Sequence, residues 1–128
     1  MSENLGHIIN GKRVVESGKS IEIFNPVNGQ VISKISNASS ETINKTLNSS
    51  IDAFEKWKTY SIAKRASILF DYKVLLEKNI NKLANFISED LGKVHDDAVG
   101  EVRRGIENVE YACGIGEILK GEFNKNIS

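Results

Sequence analysis

Two adjacent arginines, Arg103 and Arg104, lie among three carboxylates, Glu101, Glu107 and Glu110, in the run from Gly100 to Gly114. Val99, Val102, Ile106, Val109 and Cys113 recur through the same run at helical spacing, so it reads as one helix with an apolar stripe. Arg104 then points almost opposite that stripe. If it faces a cleft, its planar fork can hold a carboxylate through two parallel hydrogen bonds. If it faces solvent, Glu101 and Glu107 stand at salt-bridge spacing, and such pairs contribute only about 0.3–0.5 kcal/mol. Spacing alone favours the solvated face.

The other chemically capable residues are weaker candidates. Cys113 is the only cysteine and falls on the apolar stripe, where a thiol behaves as a small buried hydrophobe. No histidine lies near it in sequence to generate a thiolate. His7 and His95 are far apart, and their spacing matches no zinc motif. Asp96 and Asp97, beside His95, complement a helix dipole at a helix start. No metal site is expected. Gly114-Ile115-Gly116 is half a dinucleotide fingerprint. It lacks the preceding strand and the third glycine, so it is rejected as a cofactor loop and read as a place where the helix weakens or packs closely.

The first third of the chain reads as strands and turns. His7 to Ile9 and Arg13 to Val15 flank Asn10-Gly11, the pair best suited to a type I′ hairpin turn. Ser20 to Phe24 and Val31 to Ile35 alternate in the same way around Asn25-Pro26 and Asn28-Gly29, which predicts a second hairpin. Nothing in this reading pairs with the outer strand edges, and isolated hairpins are marginal in water.

From Ser39 the period lengthens to about 3.6 residues, with Ser39 or Ser40 as N-cap and Glu41 in the first turn. Ile43, Leu47, Ile51 and Phe54 mark one face of this helix, which ends near Thr59 to Ser61. A second helix is predicted over Ile62–Lys78 with Ala66, Leu69, Phe70, Val74 and Leu76 inside. A third runs through Ile80, Leu83, Ala84 and Ile87 to Leu91, stopped by Gly92. The fourth spans His95 to Leu119, with Gly121 after it.

The composition restricts the classes available. At 128 residues, 40 % hydrophobic and 27 % charged, the chain suits one modest folded domain rather than a disordered tract. Seventeen Lys plus Arg balance seventeen Asp plus Glu, which gives no global attraction to nucleic acid or anionic membrane. No apolar run reaches the roughly 20 residues of a membrane span. The N-terminus resembles neither a secretory signal nor a transit peptide, and one cysteine suits a reducing compartment, so a cytoplasmic location is expected.

Ile8-Ile9-Asn10-Gly11-Lys12, then Phe24-Asn25-Pro26-Val27-Asn28-Gly29-Gln30-Val31-Ile32, resembles the N-terminal signature of the aldehyde dehydrogenase superfamily. Ala53-Phe54 with Trp57, Arg65-Ala66 with Leu69-Phe70, and Glu89-Asp90-Leu91-Gly92-Lys93 continue the likeness. Gly100 to Gly121 is most similar to the CoA-acylating methylmalonate-semialdehyde dehydrogenase branch.

The resemblance implies an α/β fold. Residues 1–128 would be the N-terminal portion of an aldehyde dehydrogenase domain, comprising two β-hairpins and about four helices, an incomplete part of the NAD-binding domain. Residues 1–6 would be a flexible tail and 122–128 a truncated end. It implies oxidation of methylmalonate or malonate semialdehyde with NAD, through a cysteine thioester that coenzyme A resolves, in an enzyme that is homo-oligomeric at full length. The family's nucleophile comes much later than Cys113, so no catalytic and no cofactor-binding residue is expected here, and this chain alone should be inactive. The one site residue carried over is Arg104. It matches the arginine of the branch's Gly-Glu-Val-x-Arg-Gly-Ile-Glu segment, implicated in holding the substrate carboxylate. Arg103 occupies the variable position. Two alternatives stand beside this: a non-catalytic module that binds other subunits, and a portion of another aldehyde dehydrogenase branch.

Overall fold

The computed structural model describes residues 3–122 and residue 125. The chain forms two compact units, Met1–Thr59 with Glu89–Lys93, and Tyr60–Ser88 with Val94–Ser128.

In the first unit, β2 (His7–Ile9) and β3 (Lys12–Val14) form an antiparallel hairpin with Ile8 opposite Arg13. Its turn has Asn10 at φ 51° and Gly11 at φ 71°, the two left-handed residues that a type I′ turn requires. A three-stranded sheet has the order β1 (Glu3–Asn4), β5 (Val31–Ser36), β4 (Ser20–Phe24). β4 and β5 pair antiparallel, with a register irregularity between Ile23 and Phe24. Asn28-Gly29 does not close this hairpin as a two-residue turn. The connection runs from Asn25 to Gln30, closed by the Asn25 N–H donating to the Gln30 carbonyl at 2.8 Å. Asn25 Oδ1 accepts from the Val27 amide at 2.8 Å, an Asx turn that bends the chain through Pro26.

Of residues 1–6, where a flexible tail is expected, Met1 and Ser2 lie outside the described residues. β1 pairs parallel with β5, with Glu3 beside Ser33 and Asn4 beside Lys34. The Leu5 N–H donates to the Lys34 carbonyl at 2.7 Å. Arg13 donates from Nε to the Leu5 carbonyl at 3.0 Å and from Nη2 to the Asn4 carbonyl. One outer edge of the second hairpin is therefore paired, a long-range contact that local pattern does not reveal. Of the expected end at 122–128, only Glu122 and Lys125 are described.

Helix α1 (Ser40–Trp57) starts where predicted. Ser39 is its N-cap, accepting from the Thr42 N–H at 3.2 Å. The start is anchored in a polar cluster. Ser36, 3 % exposed, places its hydroxyl 2.9 Å from Asn4 Oδ1 and 3.1 Å from the Glu16 carbonyl. The Glu16 carboxylate accepts from the Ser39 N–H. The apolar face of α1 is uncovered: Ile43, Leu47, Ile51 and Phe54 are each about half exposed.

The second unit contains α2 (Ile62–Lys78), most of α3 (Ile80–Leu91), α4 (His95–Cys113) and α5 (Ile115–Ile118). Its core is small: Ala84, Ala98, Ile106 and Cys113 are buried, and no large side chain is fully buried among the described residues. Phe70 and Val74, expected inside α2, are exposed. Gly92 ends α3 at φ 66°, as expected of a C′ glycine. A Cβ there would lie 3.1 Å from Val27 Cγ2, so Gly92 also admits the Pro26-Val27 turn. The single helix predicted to Leu119 is interrupted. α4 stops at Cys113, the Gly114 N–H tightens onto the Tyr111 carbonyl at 3.1 Å, and α5 is one short turn beyond. Two glycines within three residues remove enough helix propensity to break the run.

Candidate substrate-anchoring face of helix α4

Helix α4 has Val94 at its N-cap with no side-chain capping bond. Asp96 and Asp97 fill its first turn, where the helix dipole favours them. Among the described residues, no group of three or more His, Cys, Asp or Glu is arranged to hold a metal ion, and His95 is exposed.

The stripe read from the sequence is the inner face. Ile106 and Cys113 are buried and Val99, Val102 and Val109 half-buried, with Ala98 fully buried alongside. Glu110 is tied to α2, its carboxylate 3.2 Å from Lys73 Nζ. The Glu110 carboxylate, hydrogen-bonded to it, holds the Lys73 ammonium above its ordinary pKa, and Glu77 at 3.5 Å adds to this.

Arg103 and Arg104 are both exposed. Glu101 and Glu107 stand at salt-bridge spacing, yet Arg104 makes no ion pair among the described residues. Its carbonyl accepts from Asn108 Nδ2 at 3.1 Å, while the guanidinium reaches back along the helix: a Cβ built on Gly100 would lie 3.6 Å from Arg104 Nη1. Long helical side chains lean toward the N-terminus, which brings Arg104 over the residue four before it. Gly100 lies one turn before Arg104 on the same face of α4. The exposed face of α4 thus presents a guanidinium whose donors are open to an external carboxylate.

Two apolar grooves lie elsewhere. One of about 380 Å³ in the first unit is lined by His7, Ile9, Thr42, Ile43, Thr46 and Leu47, among others. His7 Nε2 is buried there without a hydrogen-bond partner among the described residues. The other, about 350 Å³, lies over Gly105 between Tyr72, Leu76, Phe86 and Val109.

The geometry around Gly114-Ile115-Gly116 does not fit a dinucleotide. A helix, not a strand, leads into it, Gly114 is at φ −78°, and the element it opens has four residues. The described residues offer no phosphate cradle there.

Residues 14–128 match the family model of the aldehyde dehydrogenase family. The chain belongs to the aldehyde dehydrogenase family. Within this family it is similar to the malonate-semialdehyde dehydrogenase of Pseudomonas aeruginosa, at 46 % identity over 123 residues, covering 96 % of this chain and 25 % of that protein. Its fold is similar to that of methylmalonate-semialdehyde dehydrogenase from Oceanimonas doudoroffii, with a TM-score of 0.93 and 41 % identity over all of this chain and 26 % of that one. A Sinorhizobium meliloti structure assigned as a methylmalonate-semialdehyde dehydrogenase and solved in complex with NAD superposes with a TM-score of 0.91 at 37 % identity, over 98 % of this chain and 26 % of that one. The chain spans about a quarter of the length of the aldehyde dehydrogenases it matches. The two antiparallel strand pairs, the added strand β1 and the five helices of the described residues are those of the corresponding part of the aldehyde dehydrogenase fold.

Proposed function

We propose that this chain forms the N-terminal quarter of an NAD-dependent, CoA-acylating methylmalonate- or malonate-semialdehyde dehydrogenase, and that Arg104 holds the substrate's carboxylate. The observation that carries the assignment of Arg104 is its guanidinium, exposed on α4 and without an ion pair among the described residues despite flanking glutamates. The net reaction takes the aldehyde to an acyl thioester of coenzyme A, with NAD as oxidant. This chain's part is orientation. A bidentate pair between Arg104 and the carboxylate fixes one end of the semialdehyde, so the aldehyde carbon meets its nucleophile in one pose. Cys113, buried in the helix stripe, is not that nucleophile. Nucleophile and dinucleotide cradle come from the other three quarters of the enzyme, and this chain alone is inactive.

The enzyme is read as a cytoplasmic homo-oligomer without nucleic-acid or membrane partners. The balanced charge gives no global attraction to nucleic acid or anionic membrane.

The test is substrate discrimination in the complete dehydrogenase. Arg104→Leu should lower kcat/KM for malonate semialdehyde on the order of 10²-fold and leave propanal within about twofold. Equal losses on both aldehydes would favour a different dehydrogenase branch.

A second reading draws on the exposed apolar face of α1. Such a face suits a non-catalytic module that binds other subunits. It predicts a discrete complex of the isolated chain in size-exclusion light scattering; a monomer or an unbounded aggregate would exclude it.

A further inference from the structure

Gly100 has no conformational reason to be glycine. It lies inside α4, and its φ is not among the positive values of the chain. Glycine in a helix interior is destabilising relative to alanine. Nor does packing demand it: apart from its chain neighbours and the helix backbone, a Cβ would meet only Arg104 Nη1, at an ordinary contact distance of 3.6 Å. What a side chain would take away is space beside the guanidinium. A carboxylate oxygen bound to that nitrogen must come to about 2.7–2.9 Å. A methyl group in van der Waals contact with the same nitrogen competes for that approach and removes water from it.

We propose that Gly100 is a positioning residue for substrate, seating the Arg104 guanidinium against α4 and keeping its donors open to the carboxylate of the semialdehyde. This rests on the function proposed above and adds to it a second residue, acting through Arg104. It makes the segment a trade of helix stability against access to the guanidinium.

The experiment is a kinetic cycle in the complete dehydrogenase with Gly100→Ala, Gly100→Val, Arg104→Leu and the double variant Gly100→Ala/Arg104→Leu. Gly100→Ala should raise KM for malonate semialdehyde about three- to tenfold, with kcat and the kinetics on propanal within about twofold. It should also raise the thermal midpoint, because alanine favours the helix. Gly100→Val, which adds branched bulk, should raise that KM more than about tenfold. The double variant should be no worse than Arg104→Leu alone, since a residue acting through Arg104 has nothing left to position. Unchanged KM in both Gly100 variants, with Arg104→Leu still selective, would overturn this inference alone. An unselective Arg104→Leu would overturn the wider reading as well. Should Gly100→Val fail to fold, Gly100→Ala carries the test. In the 128-residue chain itself, Gly100→Ala should shift the Arg104 Nε–H resonance, and an unmoved resonance would deny the contact.

Discussion

Both carboxylate oxygens of Glu16 face one amide: Oε1 lies 3.1 Å and Oε2 3.2 Å from the Ser39 N–H, which donates to them. A residue following the first hairpin thereby fixes the start of α1, 23 residues later. Hydrogen bonds from the Thr42 hydroxyl and the Ser39 amide hold the Glu16 carboxyl below the usual carboxylate range. The same amino acids form the hub that joins Asn4, Ser36 and the helix cap, so the sheet and helix of the first unit share one polar anchor.

The depressed pKa has a signed consequence. Its stabilisation is present above the ordinary carboxylate value of 4.5 and is lost as pH falls through the lower folded value. Glu16→Gln should therefore lower the thermal midpoint at pH 7 and flatten its decline below about pH 4.5. Parallel declines in both proteins would mean that Glu16 does not anchor the helix.

Ser39→Ala removes the acceptor for the Thr42 N–H at 3.2 Å. Loss of an N-cap costs about 1 kcal/mol. Urea unfolding followed by circular dichroism should show that loss, and Ser39→Asp should recover most of it. A neutral Ser39→Ala would place the anchor on Glu16 alone.

Much of this architecture is legible locally, because its determinants are local. Asn10-Gly11 specifies its turn through backbone conformation, Ser39 and Ser61 cap helices as their types suggest, and Gly92 stops α3. What the sequence does not show depends on distant partners. β1 is held by its parallel pairing with β5 and by Arg13 Nη2 donating to the Asn4 carbonyl, neither of which is visible in Glu3-Asn4. The periodic face of α1 is correctly placed, but periodicity cannot say that Leu47 and Phe54 remain exposed. At the site, the position of Arg104 followed from spacing and its role from resemblance. The closeness of Gly100 to that guanidinium depends on the course of a long side chain along the helix, which spacing does not give.

Cys113 should behave as core. It is 7 % exposed, as is Ile106 two turns earlier on the same face of α4. A thiol-specific reagent should react slowly with the native chain and rapidly in urea, and Ile106→Ala should destabilise the second unit by about 2–4 kcal/mol. Fast native labelling would place Cys113 on an accessible surface and contradict the helix stripe.

Formation of NADH from malonate semialdehyde and coenzyme A decides whether this chain is the N-terminal quarter of such a dehydrogenase. The assay compares three samples: this chain, the remaining three quarters of the Pseudomonas aeruginosa relative, and the two joined as one polypeptide. Neither part alone should turn over, and the joined enzyme should, with malonate semialdehyde preferred over propanal. Turnover by the 128-residue chain alone would contradict it. So would a joined enzyme that oxidises propanal but not malonate semialdehyde.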